Sequence, residues 1–144
     1  MTILKFMLIN TVAVALMTGF SYVVSLAFRT NFSEPKRLKQ LVNRARIVRK
    51  SNFGIWIGWC LHFVIGLVFL SGYFLFRNIF PVGPELLYAL IFGFSAGLVG
   101  AVGWKLMFVL HNNPPQFPKF PFYVQLIAAH IVFSVAVAGM LYLF

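Results

Sequence analysis

The chain has 144 residues, 61% of them apolar and only 10% charged, with 12 Lys or Arg set against two acids, Glu34 and Glu85, for a net charge of +10 and a mean hydropathy of +0.91. Soluble domains carry about 25% charged residues, so most of this surface has to face lipid. The length fits one domain spanning 1–144, and the single cysteine, Cys60, excludes a disulfide-framed secreted scaffold and argues against a soluble metalloenzyme.

The first apolar stretch covers 3–28. Ala13-Val14-Ala15 looks like a signal-peptide cleavage site, but the apolar run continues to Phe28, too long for a signal segment, so a retained transmembrane helix is expected. Thr11, Thr18, Ser21 and Ser25 share one face of it. Ser33-Glu34-Pro35 then opens a second helix over 34–50: Ser33 is placed to cap it, Glu34 complements its positive end, and Pro35 is tolerated in the first turn. Leu38, Leu41, Val42, Ala45 and Val48 recur on one side. Such a helix is expected to lie in the interface, apolar face down, with Lys36, Arg37, Lys39, Arg44, Arg46, Arg49 and Lys50 offered to anionic headgroups or an acidic partner.

The second span covers 53–76 and carries His62 between Gly58 and Gly66; Cys60 falls on a different face. The third covers 86–110, with Gly93, Ala96, Gly97, Gly100, Trp104 and His111 along one stripe. Gly93 and Gly97 form a small-x3-small pattern that lets backbones approach closely. In the connection 111–121, Pro115, Pro118 and Pro121 have the threefold period of polyproline II, with Phe117, Phe120 and Tyr123 on another edge, which predicts a stiff interfacial ribbon. The fourth span covers 122–144 and holds His130 and Ser134.

Orientation follows from short-loop basic residues. Arg29, Lys36, Arg37, Lys39, Arg44, Arg46, Arg49, Lys50, Lys105 and Lys119 border the odd-numbered connections, whereas only Lys5 and Arg77 lie at the other side. This predicts a multi-pass protein of the bacterial inner membrane with both termini periplasmic, and makes the charge a topology signal rather than a nucleic-acid surface. The expected fold is all-α: four transmembrane helices in an antiparallel up-down bundle plus one interfacial basic amphipathic helix.

Polar residues inside spans are the strongest functional pointers in such a protein. His62 and His130 lie nine and eight residues into outward-running spans, which puts both about 12–14 Å from their helix starts. Both rings are expected to face the bundle interior, because an imidazole in hydrocarbon forfeits about 2–7 kcal/mol of hydration. With Thr18, Ser21 and Ser134 they form the candidate intramembrane polar site; Gly58, Gly66, Gly93, Gly97 and Gly100 are the candidate packing positions. A faint repeat relates His62-Phe-Val-Ile-Gly66 to His130-Ile-Val-Phe-Ser134, with Tyr73 and Tyr142 closing the two helices.

Catalysis finds little support: no acid is expected inside a span, and neither HExxH nor a Ser-His-Asp arrangement occurs. The leading expectation is therefore a non-enzymatic accessory or structural subunit of a membrane complex, without cofactor or metal. The alternatives are a ligand-binding or electron-transfer protein, with b-type haem held by His62 and His130, and a small oligomeric transporter or channel.

Several motifs carry a resemblance: Met17-Thr18-Gly19-Phe20-Ser21-Tyr22, Phe32-Ser33-Glu34-Pro35, Gly58-Trp59-Cys60-Leu61-His62, Gly103-Trp104-Lys105 with His111-Asn112-Asn113-Pro114-Pro115, and Ala129-His130. Together they resemble small four-transmembrane-helix inner-membrane proteins of Bacteroidetes-type bacteria, a group with no assigned activity. The resemblance implies the topology and transfers no function.

Overall fold

The computed structural model describes residues 2–45, 51–80 and 83–143, with 51–53 described by backbone only. Among the described residues five helices follow in order: α1 (Ile3–Ala27), α2 (Glu34–Arg44), α3 (Ser51–Ile79), α4 (Glu85–Leu110) and α5 (Lys119–Leu143). Four of them, α1, α3, α4 and α5, are long and apolar enough to cross a membrane, and the fold is an all-α polytopic bundle with α2 folded across one end.

Two boundaries differ from the sequence reading. α5 starts at Lys119 rather than Phe122, because Pro121 falls in its first turn, where a missing N–H costs nothing. The polyproline period therefore ends early: Phe117 packs inward, with its ring 5.4 Å from both Phe108 and Phe122, while Phe120 is exposed. α3 continues past Phe76 to Ile79, carrying Arg77 to Glu85 across the turn at 3.0 Å.

Neighbouring helices are antiparallel, and their spatial order is α3–α1–α5–α4, not the order of the chain. Small residues fix the tight seams. A side chain at Gly93 or Gly97 would run into the α5 backbone at Ile131 and Ile127, and one at Gly66 would meet Val14 and Asn10 of α1. Gly58 abuts the Pro35 carbonyl of α2 rather than another span. Gly100 lies against the His130 ring. The exception is the pair α3 and α4. They meet near their shared turn, where the Tyr73 and Phe76 rings pack on Phe92 at 5.3 and 5.7 Å and Tyr73 Oη donates to Glu85 Oε1 at 2.8 Å. Elsewhere the two helices splay.

α2 does not lie on the bundle as a free interfacial helix. Its apolar Leu38 and Leu41 are buried against the rest of the protein, mainly α3. The expected Ser33 cap also differs: Ser33 occupies the cap position but its hydroxyl makes no capping bond, and its backbone N–H donates instead to Asn31 Oδ1 at 3.0 Å. The 111–118 connection straps α2 down. His111 Nε2 bonds the Leu41 carbonyl at 3.0 Å, and Arg44 Nη1 donates to the Pro114 carbonyl at 3.0 Å.

Candidate functional site

The splay of α3 and α4 leaves a pocket of about 230 Å³ between them. Its back wall is α1 and α5, through Val14, Met17, Leu126, His130 and Phe133. α3 contributes His62, Ile65, Gly66 and Phe69 on one side, and α4 contributes Val99, Gly100, Gly103, Trp104 and Met107 on the other. Glu34 and Leu38 of α2 form the lid at one end. Ile65 and Val99, at the mouth, are exposed on the face a bilayer would cover. The pocket therefore opens sideways.

Both histidines line it, each only 5% exposed. No hydrogen bond joins them; each has its own partner. His62 Nε2 and Thr18 Oγ1 share a hydrogen bond of 3.0 Å, its direction set by the tautomer. His130 Nδ1 lies 2.8 Å from the Leu126 carbonyl. A carbonyl only accepts, so Nδ1 carries the proton, and in the neutral ring Nε2 is an acceptor. Among the described residues that nitrogen has no hydrogen-bond partner. The His130 ring edge reaches it toward Gly100, where a side chain would collide with Cε1 and Nε2. The two halves of the faint repeat thus hold their histidines differently.

The remaining expected polar residues separate. Ser21 Oγ donates to Glu34 Oε1 at 2.8 Å and accepts from Gln125 Nε2 at 2.6 Å. Ser134 sits one turn beyond His130, away from the pocket, with its hydroxyl buried and unbonded against Gly93. Thr11, read as part of the same face, is exposed and bonds its own helix; Asn10 is the buried residue there, donating to the Phe63 carbonyl at 3.3 Å.

The basic set divides as well. Arg37 is buried, not displayed: it donates to Gln40 at 2.9 Å and to the Asn31 carbonyl, and its guanidinium stacks 3.8 Å over the Phe117 ring. Its burial removes it from the expected headgroup surface. Lys36 and Arg44 are exposed and Lys39 is half-buried, while Arg46, Arg49 and Lys50 lie outside the described residues.

Glu34 is the group that sequence reasoning placed wrongly. As the first residue of an amphipathic helix it reads as a solvated helix-end acid. Instead its carboxyl is 1% exposed, bonded to Ser21 on α1 and to Gln125 on α5, and Oε2 is buried without a partner. Burial outweighs these hydrogen bonds and pushes its pKa up to about 7. Gln125 was missed as well, although an amide inside an apolar span carries a signal. The inward turn of Glu34 had no such signal, because it depends on Gly58 admitting the Pro35 backbone.

Among the described residues no three His, Cys, Asp or Glu side chains gather to hold a metal ion. No family model, curated protein or solved structure matches the chain.

Proposed function

We propose that this chain is an inner-membrane ligand-binding protein that takes a lipid-phase molecule sideways into the pocket between α3 and α4. The observation that carries the reading is the pocket itself: an apolar recess, open at the face a bilayer would cover, with Glu34, His62 and His130 on its walls. Ligand sites are mostly apolar with a few placed polar groups, and polar groups at membrane depth mark function by default. The basic residues around α2 favour the cytoplasmic side for that end, with exposed Lys36 and Arg44 at anionic headgroups.

The volume limits what enters. Sites for whole drug-sized ligands run to roughly 300–1,000 Å³, so a pocket of about 230 Å³ suits one end of a molecule whose remainder stays in the bilayer. Ligation of a haem between the histidines has less support, because His62 Nε2 is already engaged by Thr18.

The test is Gly103→Leu. Gly103 lines the pocket with open space where a side chain would go, so leucine narrows the mouth without a clash. Protein purified from its native membrane is expected to carry a lipid-soluble molecule at a fixed ratio, and Gly103→Leu to lose it. Equal lipid content in both proteins, by mass spectrometry of the extracts, overturns the reading.

A further inference from the structure

The polar walls narrow the ligand further, an inference that rests on the pocket reading above. We infer that the pocket takes the head of an uncharged amphiphile that carries a hydroxyl group, which donates to His130 Nε2.

Three observations carry it. First, His130 Nδ1 is committed to the Leu126 carbonyl, so the neutral ring offers an acceptor to the pocket and no donor. The ring is 95% buried (5% exposed), and no described residue donates to that acceptor. An acceptor left unpaired on the wall of an apolar pocket costs free energy that a ligand hydroxyl would recover.

Second, Glu34 stands at the α2 end of the same pocket with Oε1 already accepting from Ser21 and Gln125 and Oε2 unpartnered. With a pKa raised to about 7 by burial the carboxyl is substantially protonated near neutral pH, and Oε2 is enclosed, so Glu34 gives the pocket an uncharged end rather than a contact for the ligand.

Third, charge is unmatched. Among the described residues no Lys or Arg lines the pocket, so a phosphate or carboxylate head would meet no counter-ion from them. Glu34, the one acid among the described lining residues, has its carboxyl turned to Ser21 and Gln125, so a cationic head would find no free carboxylate there. The other walls, Trp104, Phe69 and Phe133, are aromatic and suit the uncharged body that follows the head.

The experiment is a native mass-spectrometry titration of the full chain in detergent micelles with four probes sharing one tail: 1-monooleoylglycerol, methyl oleate, oleic acid and oleylamine. Monooleoylglycerol is expected to bind about tenfold more tightly than methyl oleate, the scale of one or two hydrogen bonds. His130→Phe should erase that difference, and His130→Gln, whose amide oxygen again accepts, should restore part of it. If the His130→Phe protein does not fold, His130→Gln and the wild-type probe ranking still decide the question. Saturable binding of all four probes with equal affinity, or tighter binding of the acid or the amine, overturns the hydroxyl assignment and leaves the pocket standing. Absence of saturable binding for every probe, with no effect of Gly103→Leu, overturns the pocket reading itself.

Discussion

Two consecutive helix pairs, α4–α5 and α3–α4, are joined by short connections and run antiparallel, yet one is zipped and the other is open. The difference lies in where glycine falls. Gly93 and Gly97 face α5, and the backbones there come so close that no side chain would fit. On the face of α4 toward α3, Phe92 is bulky and wedges against Tyr73 and Phe76 at the shared turn. Beyond that wedge Gly100 admits the edge of the His130 ring and Gly103 faces open space instead of drawing α3 in, and that space belongs to the pocket. In lipid the usual hydrophobic force does not pull helices together, so close van der Waals packing decides which pairs seal. The same residue type closes one seam and opens the other, depending on whether a backbone lies opposite.

The comparison can be broken most severely at the closed seam. Gly97→Leu would drive a side chain into the Ile127 backbone, and overpacking against backbone is expected to cost about 3 kcal/mol or more. Gly103→Leu, six residues on in the same helix but facing open space, should cost less than about 1 kcal/mol, since leucine is the better helix former. Unfolding in mixed micelles measures both; similar losses at the two positions would refute the contrast.

Glu34 sharpens the comparison at the lid, where α2 closes one end of the pocket. Its carboxyl titrates near 4.5 in the unfolded chain and at about 7 in the folded one. Between those values the folded state binds more protons than the unfolded state, so stability falls as pH rises. The contribution is fully present below about pH 4.5 and lost once pH passes about 7, a change of about 3 kcal/mol. Glu34→Gln keeps the hydrogen-bonding shape without the titration, and its stability should be flat across that window. A slope equal to the wild type's would place the titrating group elsewhere.

Thr18→Val tests the α1–α3 seam, which closes the pocket from behind. It removes the partner of His62 Nε2 and is expected to cost about 1–2 kcal/mol by the same unfolding assay. The smallest effect belongs to the strap: Arg44→Ala loses exposed bonds to Asn113 and Pro114, worth about 0.5 kcal/mol or less, with hydrogen exchange in α2 the sensitive readout.

Much of this was legible in the sequence. Hydropathy gives four spans because a bilayer sets a minimum length for each, and the histidines stand out because an imidazole is rare in hydrocarbon. The pocket was not legible, because linear patterns do not say which helices are neighbours: the spatial order α3–α1–α5–α4 puts α4 against α5 and leaves α3 leaning on α1 and α2. Glu34 shows the limit most clearly. Basic residues surround it in the sequence and the helix start explains it locally, so only the tertiary placement of α2 against Gly58 reveals a buried carboxyl. Arg37 was misread for the same reason, since its stacking partner, Phe117, is far away in the chain.

The central claim, that the α3–α4 gap is open to the bilayer, is tested most directly through Trp104. This residue lines the pocket while being only 7% exposed. With Trp56→Phe and Trp59→Phe it becomes the sole tryptophan, and the protein can be placed in vesicles of phospholipids brominated along the acyl chain. An open pocket predicts strong quenching of Trp104 fluorescence that Gly103→Leu suppresses. Weak quenching that is the same in both proteins, as for a ring sealed in the bundle core, would contradict the account.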